Sequence, residues 1–279
     1  MQPRISYLVC ATPRSGSTLL CEALTNTGLA GYPKEYFEAL KETGLPRSPR
    51  DYFKKTSNPE LLDLIGNYSR GDNALPVLSG FASYSDYLSS VLGKGTTPNG
   101  VFGAKLMWGY LEDFLLYLQE IPAYRDLPVP QLFSTIFPNL HYIHISRRDK
   151  VRQAISLWRA IQTWSWRQEQ SSAQETPSHS TREQVFNFAA IDHLVQRILV
   201  HEEAWKQYFV ENAIQPFSVV YEELTEMYEK TALQILQYLK IPLPPSVAFE
   251  ERQMRQQADT LSEQWYERYH QIKQEQKWQ

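Results

Sequence analysis

The stretch ATPRSGSTLLCEAL, residues 11 to 24, constrains the fold of this chain more than any other. Before it, ISYLVC is apolar and β-branched or aromatic enough for a short buried strand, and after it TLLCEALTNTG reads as a helix closed by Gly28. Strand, small-residue turn and helix together make a phosphate cradle, because backbone N–H groups and the positive end of the helix converge on one point. The Walker pattern G-x-x-x-x-G-K-[ST] nevertheless needs a lysine where this chain has Ser17. With Ala11 on the first Walker glycine, Thr12 to Ser15 fill the loop, Gly16 takes the second glycine and Thr18 the final hydroxyl. The N–H groups of Ser15, Gly16, Ser17, Thr18 and Leu19 can still wrap an anion, and Arg14 adds a full charge. Without the lysine, a triphosphate with Mg²⁺ loses its main clamp. The plain alternative is a flexible turn, which the correctly placed strand and helix argue against.

Three more segments carry a strand signal: VFGAKLM at 101–107, HYIHIS at 141–146 and FSVVYEEL at 217–224. Helical periods separate them, from Asp149 through Val151, Ala154, Ile155, Trp158 and Ile161, over 183–211, and in EMYEKTALQILQYLK. Alternation of this kind predicts an α/β fold, a P-loop-like parallel sheet flanked by helices, in a single domain spanning 1–279. Residues 33–59 read as a loop excursion, 168–181 as a surface loop, and 71–73 and 93–100 as turns.

Composition narrows the function. A net charge of −3 argues against nucleic acid as the main partner, and no apolar run approaches the roughly 20 residues of a membrane helix. The N-terminal residues lack signal-peptide anatomy, so a cytoplasmic location is expected. Cys10 and Cys21 have no metal-ligand spacing and read as reduced and structural. HYIHIS runs into Ser146-Arg147-Arg148, a cationic strand end suited to a second anion rather than a metal. Arg148 precedes a predicted helix and Ser156 lies eight residues on, a rise of roughly 10 Å that a bound phosphate could bridge. Taken alone, the two are an exposed arginine and an unrelated helix serine; beside a first anion loop they read as a second anion site.

These residues resemble a known family. PRSGST looks like the 5′-phosphosulfate loop of sulfotransferases, with Arg14 where a lysine usually stands, and RRDKVRQAIS is similar to their 3′-phosphate segment. RSGSTLLCEALTNTGLAGYPKEYF, TPNGVFGAKLMW, ISLWRAIQTWSWR and QADTLSEQWYERY resemble the bacterial trehalose 2-sulfotransferase family, from Arg14 to Tyr269. The resemblance implies transfer of a sulfuryl group from 3′-phosphoadenosine-5′-phosphosulfate (PAPS) to a hydroxyl, without a metal. It implies donor contacts from Arg14 through Leu19, from Arg148 and Ser156, and from Arg255 on a late loop. It places the general base at Glu35 in GYPKEYF, with Arg14 on the reacting oxygens. Acceptor contacts fall to Pro13, Tyr32, Pro33, Tyr36, Phe37 and Trp158. Pro13, Tyr32 and Lys34 stand where the family pattern has glutamine, glutamate and glutamine, so the acceptor is a sugar, a glycolipid or a similar small hydroxyl metabolite.

Rival assignments stay open at this level. His144 at a strand end competes with Glu35 as base, while Glu22 and Glu38 read as a helix-surface acid and a solvated one. Lys105 in GAKLMW is either a donor-binding cation or half of a surface ion pair. Trp158, Gln162 and Trp166 share a helical face and are core by default. Two other functions remain in play, a metal-dependent nucleotide kinase and a non-catalytic protein that binds 3′-phosphoadenosine-5′-phosphate (PAP). A homodimer is also left open.

Overall fold

A computed structural model describes residues 2–54, 56–66, 75–163, 184–244, 249 and 259–277. In chain order the elements are β1 (Ile5–Ala11), α1 (Ser17–Thr25), α2 (Pro59–Gly66), α3 (Tyr84–Gly95), β2 (Val101–Met107), α4 (Trp108–Leu118), α5 (Val129–Ile136), β3 (Leu140–Ser146), α6 (Lys150–Thr163), α7 (Phe188–Glu211), β4 (Phe217–Val220), α8 (Tyr221–Glu226), α9 (Tyr228–Tyr238) and α10 (Thr260–Lys277), with a short 3₁₀ turn at Pro49–Tyr52. The four strands form one sheet in the order β2-β1-β3-β4, and every pairing is parallel. The expected α/β fold with a parallel sheet flanked by helices is what the chain adopts.

Two compact units emerge. The first comprises Met1–Arg47, Asp72–Arg148 and His201–Glu251 and contains the whole sheet. Its central strand β1 is buried on both faces, with Tyr7 to Ala11 at 0% exposure, as expected of a parallel strand covered by helices. Tyr7 donates from its hydroxyl to the Ala30 carbonyl at 2.6 Å, and its ring lies close to Gly103 of β2. A methyl group at Gly103 would stand 2.5 Å from that hydroxyl, so no larger residue fits. On the α4–α5 side, Phe37, Phe102, Phe114, Phe133 and Phe137 form a continuous aromatic layer.

The second unit, Ser48–Gly71, Asp149–Val200 and Arg252–Gln279, is helical. Its own core gathers Phe53, Leu61, Ile65, Trp158, Ile161, Ile191, Leu194, Trp265 and Tyr269. The apolar period of α6 that the sequence shows is therefore core packing.

Several boundaries differ from expectation. FSVVYEEL is strand only to Val220; Tyr221 already begins α8. Gly93 and Gly95 belong to the last turn of α3, and the turn proper follows them. Residues 71–73 and 168–181, Trp166 and Arg255 lie outside the described residues. Among the described residues no helix is long and apolar enough to cross a membrane.

Candidate active site

The first turn of the site begins where β1 runs out. The Ala11 carbonyl, at the last residue of the strand, accepts a hydrogen bond from the Trp205 indole at 3.0 Å, which fixes the exit of the chain. The loop then turns through left-handed backbone at Arg14 (φ 62°) and Gly16 (φ 91°), with Ser15 N–H donating to the Thr12 carbonyl at 3.3 Å. Such conformations concentrate at ligand clamps. Position 16 has a second constraint, because a Cβ there would sit 2.3 Å from the Tyr221 ring. The Arg147 guanidinium lies over the Tyr221 ring, 4.8 Å from its centroid.

The loop has the character of an anion cradle. Gly16 caps α1 without a side-chain hydrogen bond, and no acidic residue occupies the first turn of the helix, so its leading N–H groups face no competing carboxylate of that turn. Ser15 is 0% exposed, and its hydroxyl oxygen has no hydrogen-bond partner among the described residues. A buried hydroxyl without a partner is costly, and a phosphate or sulfate oxygen is the kind of acceptor that relieves it. Ser17 is buried, Thr18 half-buried.

Glu35 is brought to this loop by backbone pairing. Lys34 bridges Ala104 in parallel fashion, and the Lys105 N–H donates to the Lys34 carbonyl at 2.9 Å, so residue 35 is strung along β2 rather than left on a free loop. The Lys105 ammonium reaches Glu35 Oε1 at 2.6 Å and donates to Thr18 Oγ1 at 3.1 Å. Tyr110 holds the other carboxylate oxygen, its hydroxyl donating to Oε2 at 3.1 Å. Behind Tyr110 stands Arg47, 5.0 Å from the ring centroid and paired with Asp113. The Lys105 side chain is 4% exposed and that of Glu35 26%. The surface-pair reading of Lys105 is thereby excluded.

The rival acids and bases sit elsewhere. His144 is on β3, aligned with Cys10 of β1, whereas Lys105 is on β2, aligned with Val9. β1 separates them, a distance of roughly 10 Å at the usual strand spacing. The His144 ring packs edge-on against Phe209 at 5.5 Å. Glu22 accepts from the Tyr228 hydroxyl at 3.3 Å and ties α1 to α9. Burial pushes the phenols of Tyr36 and Tyr87 up to about 12 and the Cys10 thiol well above its usual range, so all three stay protonated near neutrality.

The acceptor-side residues divide. Tyr32 is 39% exposed, its carbonyl accepting the Tyr36 hydroxyl at 2.7 Å; Pro13 is half-buried and Pro33 buried. Phe37 is 2% exposed and stacks on Phe114 at 4.0 Å, so it belongs to the aromatic layer. Trp158 is fully buried, and its indole donates to the Val185 carbonyl at 2.9 Å inside the helical unit. For these two, packing replaces the expected acceptor contact.

Arg148 is at the carboxyl end of β3, mostly exposed and paired with Glu223. Its backbone N–H donates to both oxygens of Glu222 at 3.2 Å. Ser156 lies half-buried on α6 in the helical unit. Tyr110, Trp205, Tyr221 and Glu223 escaped the sequence reading. Tyr110 and Tyr221 carried a signal: they stand just past the carboxyl ends of the parallel strands β2 and β4, where site residues gather.

Comparison with known proteins agrees with this arrangement. A family model described as Stf0 sulphotransferase matches residues 6–272. The trehalose 2-sulfotransferase of Mycolicibacterium smegmatis is 34% identical over 270 residues, 95% of this chain and 94% of that protein. The enzyme of the same name from Mycobacterium tuberculosis is 32% identical over 266 residues, 94% and 93%. Among solved structures, the sulfotransferase domain of the Synechococcus PCC 7002 olefin synthase covers 94% of this chain and 83% of its own, at 16% identity and a TM-score of 0.41, a likeness too loose to add to the assignment. With a lysine-free anion loop, a carboxylate fixed beside it and matches along nearly its whole length, the chain belongs to the Stf0 sulphotransferase family.

Proposed function

We propose that this sulfotransferase takes its sulfuryl group from PAPS and passes it to a hydroxyl of a sugar or sugar-bearing metabolite, the whole chain acting as one catalytic domain. The single observation that carries the reading is Glu35 held by Lys105 beside Thr18 of the anion loop. The two curated relatives act, by their names, on trehalose. Pro13, Tyr32 and Lys34 leave room for a different sugar here.

In this reading the loop N–H groups from Ser15 to Leu19 hold the phosphosulfate end, with Arg14 on its oxygens. Arg148 and Ser156 take the 3′-phosphate, and Arg255 joins them. When bound, the donor supplies an activated sulfuryl group whose sulfur–oxygen bond breaks with the electron pair left on the 5′-phosphate. Glu35 accepts the acceptor's hydroxyl proton as the new oxygen–sulfur bond forms. Tyr110 and Lys105 orient its two oxygens, each of which keeps a further lone pair for that proton.

Calorimetry tests the donor. PAP should bind in the presence of EDTA and more tightly than MgATP, since Ser17 stands where a triphosphate loop needs lysine. Equal or tighter binding of MgATP favours the kinase reading and overturns this one. Incubation with labelled PAPS and a panel of sugars then identifies the acceptor; PAP binding without label transfer to any hydroxyl compound supports a purely binding role for the site.

A further inference from the structure

We propose that Lys105 is a positioning residue that couples the base to the donor loop: it keeps Glu35 charged before reaction and turns its own charge to the Thr18 side once Glu35 takes up a proton. The proposal rests on the donor reading above and goes beyond it. A lysine inside a strand buried along its whole length carries a large desolvation cost. Fold stability gives no reason for it, since apolar residues commonly replace a buried ion pair without loss. The ammonium instead makes two directed contacts to two different parts of the site, Glu35 Oε1 at 2.6 Å and Thr18 Oγ1 at 3.1 Å. Thr18 is the second residue of α1, on the loop whose lysine position is filled by Ser17. The missing loop cation is thus replaced by one reaching in from the neighbouring strand.

The consequence follows from charge balance. With Glu35 ionised, the pair is close to neutral and Lys105 contributes little to the loop. A proton on Glu35 cancels the carboxylate charge and leaves one positive charge beside Thr18. That charge appears when the leaving side becomes more negative, so proton uptake and leaving-group stabilisation reinforce each other. Other titratable or charged groups stand on the neighbouring elements: Tyr110 on the second carboxylate oxygen, with the Arg47–Asp113 pair at its ring; Lys34, Tyr36 and Glu38 on the same segment as Glu35, with Tyr87 of α3 bonded to the Tyr36 carbonyl; and Arg14 in the anion loop whose Thr18 meets Lys105. Lys105 is in direct ion-pair contact with the carboxylate.

Carbon-13 NMR of the ligand-free protein tests the coupling, the Glu35 carboxyl signal being identified by its loss in Glu35→Gln. Lys105→Met should raise the Glu35 titration midpoint by about one unit or more, the usual effect of removing an adjacent opposite charge. Lys105→Arg should leave it near the wild-type value. A folded Lys105→Met protein with an unchanged midpoint overturns the proposal. Should Lys105→Met fail to fold, the wild-type Nζ resonance decides; its absence from Lys105→Arg identifies it. It should move as Glu35 titrates and again when PAP is added. An Nζ signal indifferent to either event sinks the coupling. Absence of PAP binding by calorimetry would instead sink the donor reading, because the carboxyl titration needs no ligand.

Discussion

In the sheet-bearing unit the Lys105 side chain is 4% exposed, and its ammonium contacts both Glu35 and Thr18. In the helical unit, Arg152–Glu263 and Arg159–Asp259 lie at a surface, with side-chain exposures of 34% and 45%, and of 19% and 50%. The bonds are chemically alike, but their surroundings differ. Water and salt screen the helical pairs, which fasten α10 along α6 and contribute little to stability. The Lys105 ammonium has been stripped of water, so losing its partner leaves an uncompensated charge. One kind of pair trims stability; the other fixes a carboxylate beside the anion loop.

The largest effect should come from breaking the buried pair on its acid side. Glu35→Gln should lower turnover by roughly 10²–10⁴, the usual contribution of a positioned base, while PAP affinity measured by calorimetry changes little. The acid limb of the wild-type pH–rate profile should vanish with it. His144→Ala should be much milder; the reverse order of severity would make the histidine the base.

Next comes the exposed cation of the sheet unit. Arg148→Ala should weaken PAP by about 1.5–3 kcal/mol and leave adenosine 5′-phosphosulfate nearly unaffected. Glu223 already occupies this arginine, so Glu223→Gln should tighten PAP. Equal weakening of both nucleotides by Arg148→Ala would show that it does not read the 3′ position.

Gly16→Ala should reduce stability in denaturant unfolding by about 1–2 kcal/mol for the left-handed backbone alone, with a steric contribution from Tyr221. Tyr221→Ala in the same chain should relieve the clash but not the backbone cost. Complete restoration would mean that the φ of residue 16 is dispensable.

The smallest effects belong to the helical unit. Arg152→Met should cost less stability than any change above, and progressively less as salt rises. The Arg159–Asp259 pair has a pH dependence of definite sign. Hydrogen bonding from Arg159, the largest cause, holds the Asp259 carboxyl below its ordinary value of 3.8. Its stabilising effect is therefore fully present above that value and is lost as pH falls through the depressed one. Unfolding curves of Arg159→Met should lack this acid-side component while keeping the rest of the wild-type profile.

The sequence and the structure coincide most closely where local chemistry is strong. VFGAKLM is β2 to the residue, and ISYLVC and HYIHIS each gain one residue, because continuous apolar runs between turn formers have few other options. FSVVYEEL misleads at its end. Val220 and Tyr221 both suit a strand, yet the Tyr221 ring packs against Gly16 and the backbone there turns helical. Helix α10 has a weak apolar stripe in a polar sequence, and it is held by Trp265 and Tyr269 entering the core of its unit, a partnership invisible in the local pattern.

By itself the sequence determined the strand–loop–helix cradle and the absence of a loop lysine, since each depends on residues within a few positions of one another; the alternation of strand and helix periods along the chain pointed to the parallel α/β class, and Glu35 became a candidate only through resemblance to a family. Only the tertiary structure decided where the Lys105 ammonium sits. Its ammonium meets Thr18 from 87 residues away in the chain and Glu35 from 70. Tyr110 likewise closes on Glu35 across 75 residues. Nothing in GAKLMW distinguishes a solvated lysine from a buried one. Parallel pairing of β2 with β1, and of residue 34 with β2, removes water from that ammonium and leaves it a carboxylate and a loop hydroxyl as partners.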